Sequence, residues 1–225
     1  MYKSKPYDKD CGYSELTHNL IERMCKNVER EDFVLDKKTS EELILKTYDL
    51  FDLPRPKKVV WCKDIFENKF QDVARSAWSA GSAVDYDFGW FVIEHEYCIN
   101  QDGGTPPNDN DKKYLEYSKL LMEAKETGLG YRVEYEDILY LVPTPLVLID
   151  EQNRFHSETK PAIRWKGGAE RYFLHGVSFE KEWWTKIVKG KLSAEEVFAI
   201  DNLEHRRIAY EYLDKSKMKA LKDYR

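Results

Sequence analysis

The stretch Arg154–Val177, RFHSETKPAIRWKGGAERYFLHGV, constrains this chain more than any other part. Two strand-like runs flank Gly167-Gly168. Paired glycines suit a type I′ turn, which needs positive φ at both central positions. A hairpin on that turn pairs Trp165 with Glu170, Arg164 with Arg171, Ile163 with Tyr172 and Lys160 with His175. Like charges directly opposite are unfavourable, so Arg164 and Arg171 require an internal carboxylate, a bound anion or another register. Each run also carries one histidine, His156 and His175.

Helical periodicity dominates the chain before this hairpin. Leu16, Leu20, Ile21, Met24 and Val28 recur at steps of three and four after Ser14. Thr39 and Glu42 form a capping-box pattern opening a second helix through Ile44, Leu45, Tyr48 and Phe51, which Pro54 and Pro56 stop. Lys58–Cys62 is β-prone, and Asp64 is expected to cap a helix through Phe66, Phe70, Ala74 and Trp78. Ala77–Cys98 fits helix and strand equally, Asn100–Asp111 is a breaker-rich loop, and a helix follows from Asp111. Ile138–Val142 and Leu146–Ile149 are continuous apolar runs of the kind found in buried strands. Ser193 with Glu196 is another capping box, and Asn202 caps a last helix ending near Leu213.

This pattern predicts an α+β fold, a small mixed or antiparallel sheet with flanking helices. The expected organisation is an N-terminal helical segment over 1–53, an α+β domain over 54–213 and a basic tail over 214–225. The N-terminal MYKSKPYDKD has no apolar core of a signal peptide, and no apolar run approaches a membrane span. Four cysteines without metal spacing point to reduced thiols in a cytoplasmic protein. From Arg154 onward there are 16 Lys and Arg against 11 Asp and Glu, whereas the residues before it hold 20 against 30. The basic third either packs against the acidic part or meets an anionic ligand or RNA.

Several ordered blocks resemble a bacterial family known only as a domain of unknown function. Tyr48, Leu53, Pro54 and Pro56 precede the Val59-Val60-Trp61 strand, and the Ala77-Trp78 pair follows. His156, Pro161, Ala162, Gly168, Tyr172, His175, Gly176 and Val177 match the central pattern, and Asn202, Glu204, Arg206 and Arg207 close it. Lys160 and Gly167 depart from the family, which has glycine and aspartate there. The resemblance implies a common fold unit and common candidate positions, with no activity attached.

Candidate chemistry centres on the same block. His156 and Glu158 share one strand face, where a carboxylate can orient an imidazole for acid–base work. With His175 they form a candidate catalytic set, and two histidines with a glutamate also suit a divalent metal, although structural hydrogen bonding is the leading reading. Arg164, Arg171, Arg206 and Arg207, with Trp165 and Tyr172, are candidate ligand-binding residues, the arginines for oxyanions. Glu204 and Arg207 stand three apart on one helix face. A Cys98–His95 pair is a weaker candidate. No P-loop, GxSxG, HExxH or dinucleotide fingerprint is present, and no cofactor is indicated. The leading functional expectation is a soluble binding or regulatory module with a protein partner. The alternatives are a nucleic-acid partner, or a hydrolase- or transferase-like enzyme acting on an anionic substrate.

Overall fold

The structure is a computed structural model describing residues 34–79, 84–85, 109–152 and 154–214. The expected helix at Leu16–Val28, the Glu94–Cys98 cluster, the 100–108 part of the expected loop and the tail beyond Asp214 lie outside these residues. The fold is α+β, with two four-stranded sheets and flanking helices among the described residues. It divides into two compact units, 34–146 with 165–169, and 147–164 with 170–214. The apolar stripe of the first described helix belongs to the same core as the first sheet.

The first unit opens with α1 (Lys37–Leu50). Its N-cap is Asp36, which accepts from the Thr39 amide and hydroxyl at 3.0 and 2.7 Å. The expected cap, Thr39, is thus inside the helix: an aspartate three residues earlier is a competent acceptor and extends it by a turn. β1 (Lys58–Trp61), α2 (Asn68–Ser79), β2 (Val84–Asp85), α3 (Asp109–Glu126), β3 (Leu129–Tyr135) and β4 (Ile138–Pro143) complete the unit. The sheet runs β1-β4-β3-β2, with β1 parallel to β4 and the other pairs antiparallel. Leu43, Ile44 and Tyr48 of α1 share a core with Leu120, Leu121 and Ala124 of α3 and Leu139 and Leu141 of β4.

Asp64 does not cap α2. Its carboxylate accepts from the Phe66 amide at 2.8 Å and from the Ala169 amide at 2.6 Å. A Cβ on Gly168 would lie 2.7 Å from the same carboxylate and 2.9 Å from the Lys63 carbonyl, so this position requires glycine. The Trp165 indole donates to the Pro143 carbonyl at 2.9 Å and meets Phe66 edge-on. Together these contacts hold the loop between Trp165 and Ala169 in a form longer than a two-residue turn.

β5 (Leu146–Val147) begins at the boundary, and the second unit continues with β6 (Ile163–Arg164), β7 (Glu170–Leu174) and β8 (Val177–Phe179), then α4 (Lys181–Val188), α5 (Ala194–Phe198) and α6 (Leu203–Glu211). The longer loop shifts the β6–β7 register by one residue from the expected one: Ile163 faces Arg171, and Arg164 faces Glu170. Opposite charges now stand across the pair, which removes the arginine clash. Ser193 makes the capping box with Glu196, and the Asn202 side chain caps α6, both as the pattern predicts. Leu174, Ile187, Val197, Ile208 and Ala209 are almost fully buried in this core. Among the described residues no helix is long and apolar enough to cross a membrane.

Replacing Asp64 with alanine leaves the Ala169 amide without its acceptor in a part-buried place. The expected loss is about 1–3 kcal/mol, measured as a lowered urea midpoint with unchanged m-value.

Candidate functional site

The two-residue turn with positive φ lies at His175-Gly176, between β7 and β8, and not at Gly167-Gly168. His175 has φ +49° and Gly176 φ +85°, with Leu174 paired to Val177. Histidine is among the few residues enriched in this left-handed region, and its backbone amide needs a partner outside the ladder. That partner is a side chain: the His175 amide donates to Nδ1 of His156 at 3.1 Å. Because the amide is the donor, Nδ1 accepts, and the neutral His156 ring carries its proton on Nε2.

His156 reaches the turn on a short extended segment. Its amide donates to the Leu148 carbonyl at 3.0 Å, and the next amide, of Ser157, donates to Phe173 at 3.1 Å. The Gly176 amide donates to the Phe155 carbonyl at 2.9 Å. The two imidazoles stack with centroids 4.2 Å apart and planes inclined by 23°.

Asp150 organises the other side of the cluster. One carboxylate oxygen accepts from the amides of Gln152 and Arg154, both at 3.0 Å; the other takes Nε of Arg154 at 2.8 Å. Nδ1 of His175 lies 3.1 Å from that second oxygen and 3.0 Å from Nη2 of Arg154. Burial opposes ionisation of Asp150, but the Arg154 guanidinium, the loop amides and His175 outweigh it and hold the carboxyl well below its usual range.

Glu158 sits on the outer side. It accepts from the Tyr212 hydroxyl at 2.6 Å, and the same oxygen is 3.9 Å from Nε2 of His156. Burial first, and then Glu158, push the Tyr212 hydroxyl above its ordinary value. Tyr212 also approaches Nε2 of His175, at 3.5 Å. His156 is shifted down, first by burial and next by the neighbouring imidazole, against the pull of Glu158 and Asp150.

The three predicted catalytic residues are therefore together, joined by Asp150, Arg154 and Tyr212, which sequence reasoning did not single out. An acid and an arginine four apart across a short polar loop were a readable signal for the first two; Tyr212 had none. Asp150, His156 and His175 bring ligand-type atoms within 4.8 Å of one another. Stacked rings, however, direct their in-plane lone pairs along nearly parallel sheets, whereas a shared ion needs them to converge at about 2 Å. The Arg154 guanidinium also stands beside His175. As arranged, the cluster is built for hydrogen bonding rather than ligation.

The predicted ligand-binding residues do not gather here. Arg206 donates through Nε to the Ile200 carbonyl at 2.7 Å, and Arg207 pairs with Glu204 and Glu211. Arg171 donates to the Glu170 carbonyl, and Tyr172 bonds Glu170 at 2.7 Å beneath the Lys181 ammonium. Arg164 faces Glu170, and Trp165 is buried in the first unit.

A second feature of the same unit was not anticipated. The end of β8, α4, the end of α5 and the start of α6 enclose a groove of about 580 Å³. Phe179, Trp183, Ala199, Ile200 and His205 give it apolar and aromatic walls, and Glu180, Glu196, Asp201 and Asn202 line it with polar groups. Trp184 and Ile187 bury the inward face of α4, which turns Trp183 outward at 39% exposure. Phe179 and His205 pack ring on ring at 4.8 Å. Lys186 lies 5.7 Å over the Trp183 ring and 3.3 Å from Glu196. Two adjacent tryptophans on one helix cannot both face the core, and that was the signal in the sequence.

No protein-family model matches the chain, and no curated protein or solved structure is significantly similar to it.

Asp150→Asn keeps the shape of the loop but removes its charge. The folded carboxyl is lowered, so its stabilisation is present above the unfolded value near 3.9 and is lost as pH falls through the folded value. The variant is expected to be about 1.5–3 kcal/mol less stable at pH 7. That gap narrows below about pH 4, as read from urea midpoints at pH 7 and pH 3.

Proposed function

We propose that the chain is a binding module, and that the groove bounded by β8, α4, α5 and α6 takes an apolar side chain from a basic protein segment. The observation that carries this reading is the groove itself, about 580 Å³ with Trp183 at its edge. That volume lies within the usual range for pockets that take one small ligand or anchor. Tryptophan at the edge of an apolar recess is the residue type that most often dominates binding energy. Of the lining carboxylates, Glu196 is paired with Lys186, which also covers the Trp183 ring, while Glu180 and Asp201 leave a net negative balance that favours a cationic partner over a phosphate backbone.

The histidine cluster supports the same conclusion. Nδ1 of His156 is taken by the His175 amide and Arg154 by Asp150, while Arg206 bonds the Ile200 carbonyl and Arg207 pairs with Glu204. A cytoplasmic setting belongs to this proposal; Cys62 is a free, buried thiol, pushed up to about 11 by desolvation and by Glu67. So does the resemblance to the bacterial family, which rests on the blocks around His156 and His175.

The test is calorimetric titration with a capped peptide alternating leucine and arginine, beside its leucine–glutamate counterpart. The arginine peptide is expected to bind, and Trp183→Ala to weaken it about tenfold or more, in line with loss of an aromatic anchor. Salt should weaken the wild-type interaction, and less so for Asp201→Asn. Equal affinity for the glutamate peptide, or indifference to Trp183→Ala, would exclude the groove. Oligonucleotide binding with a steep salt slope and no dependence on Trp183 would instead favour a nucleic-acid partner.

A further inference from the structure

We propose that His156 is a proton-operated latch on the β7–β8 turn: neutral, it holds the left-handed His175 in place, and protonated, it lets go. This does not depend on what the groove binds.

The geometry sets the logic. Among the described residues, the acceptor of the His175 amide is Nδ1 of His156. An imidazole gains its second proton on the nitrogen that lacks one, which here is Nδ1 itself. Protonation therefore does not merely add charge nearby. It replaces an acceptor by a donor that faces another donor, so the bond cannot survive. The amide it abandons belongs to a residue at φ +49°, a conformation that persists only where its surroundings hold it.

Around His156 the charged and titratable groups are His175, Asp150, Arg154, Glu158 and Tyr212. The stacked His175 ring and Arg154 oppose a positive His156; Asp150 and Glu158 favour it. Burial adds to the opposition, and its effect is the largest, so the folded protein holds this ring neutral more firmly than the unfolded chain does. The sign follows: stability is intact above the unfolded value near 6.5, and declines as pH falls below it toward the lower folded value.

Release has a second arm. A cationic His156 attracts the Glu158 carboxylate, now 3.9 Å from Nε2 and engaged by Tyr212 at 2.6 Å. Drawing Glu158 inward loosens the tie to Tyr212, the residue that ends α6. One proton thus acts on the turn and on the end of α6 together.

The experiment is amide hydrogen exchange with histidine NMR titration on the full chain. After correction for intrinsic exchange, protection of the His175 amide is expected to fall at least tenfold between pH 7.5 and pH 5, while the core amide of Ile208 keeps its protection. In His156→Asn the side-chain oxygen can occupy the place of Nδ1 and cannot be protonated, so protection there should not change with pH. Independently, in the wild type, the shift of the His175 amide should follow the His156 ring with a common midpoint below 6.5. Protection that is constant in the wild type, a fall that persists in His156→Asn, or separate midpoints would each overturn the latch.

Discussion

A backbone amide in an awkward place organises the second unit. His175 takes a left-handed conformation so that β7 can turn directly into β8. That costs about 1 kcal/mol for a residue with a side chain, and it points an amide away from any strand. The His156 ring supplies the acceptor, and its position in turn requires the extended segment 154–157 beside Leu148 and Phe173. Asp150 then fixes the loop from which that segment emerges, with Arg154 satisfying its charge. Each contact is modest; their mutual dependence makes the turn definite.

The groove is a by-product of the same economy of elements. β8 has three residues and α5 has five, so neither can cover its neighbours completely. Phe179 closes the inner wall while Trp183 remains at the edge, because its neighbour Trp184 takes the core position and donates to the Ser157 carbonyl. Arg206 helps by fixing the Ile200 carbonyl. An arginine suited to anion recognition serves here as scaffold, since short connections leave carbonyls that no ladder satisfies.

Local chemistry was legible in the sequence and distant chemistry was not. Ser193 with Glu196, and Asn202 before α6, are caps whose partners lie within three residues, and both are found as read. Thr39 is not the cap because Asp36, three residues earlier, takes that place and accepts from the Thr39 amide and hydroxyl. Asp64 was beyond reach: its decisive partner is 105 residues away, and no local pattern announces it. That distant bond also lengthens the loop at Gly167-Gly168, so a glycine pair that suits a tight turn does not make one. The tight turn fell instead on His175-Gly176, which reads locally as an ordinary strand end. The meeting of His156, Glu158 and His175 survived this change because both histidine segments still border the same strand pair.

The placement of Ala169 bears on the order in which the chain can mature. The first unit joins β1 to β4 in parallel across a long intervening stretch, a slow kind of pairing. Its Asp64 then waits for an amide at residue 169, well after the last strand of that sheet. On a ribosome, the larger part of the first unit is synthesised early yet remains incomplete until the loop of the following hairpin has emerged. The second unit's contacts fall mostly within a short span of chain, so it can close soon after its own last helix is made. A chain interrupted between Pro143 and Trp165 would therefore leave the Asp64 carboxylate, the Pro143 carbonyl and the Phe66 ring without the partners that residues 165–169 bring to them.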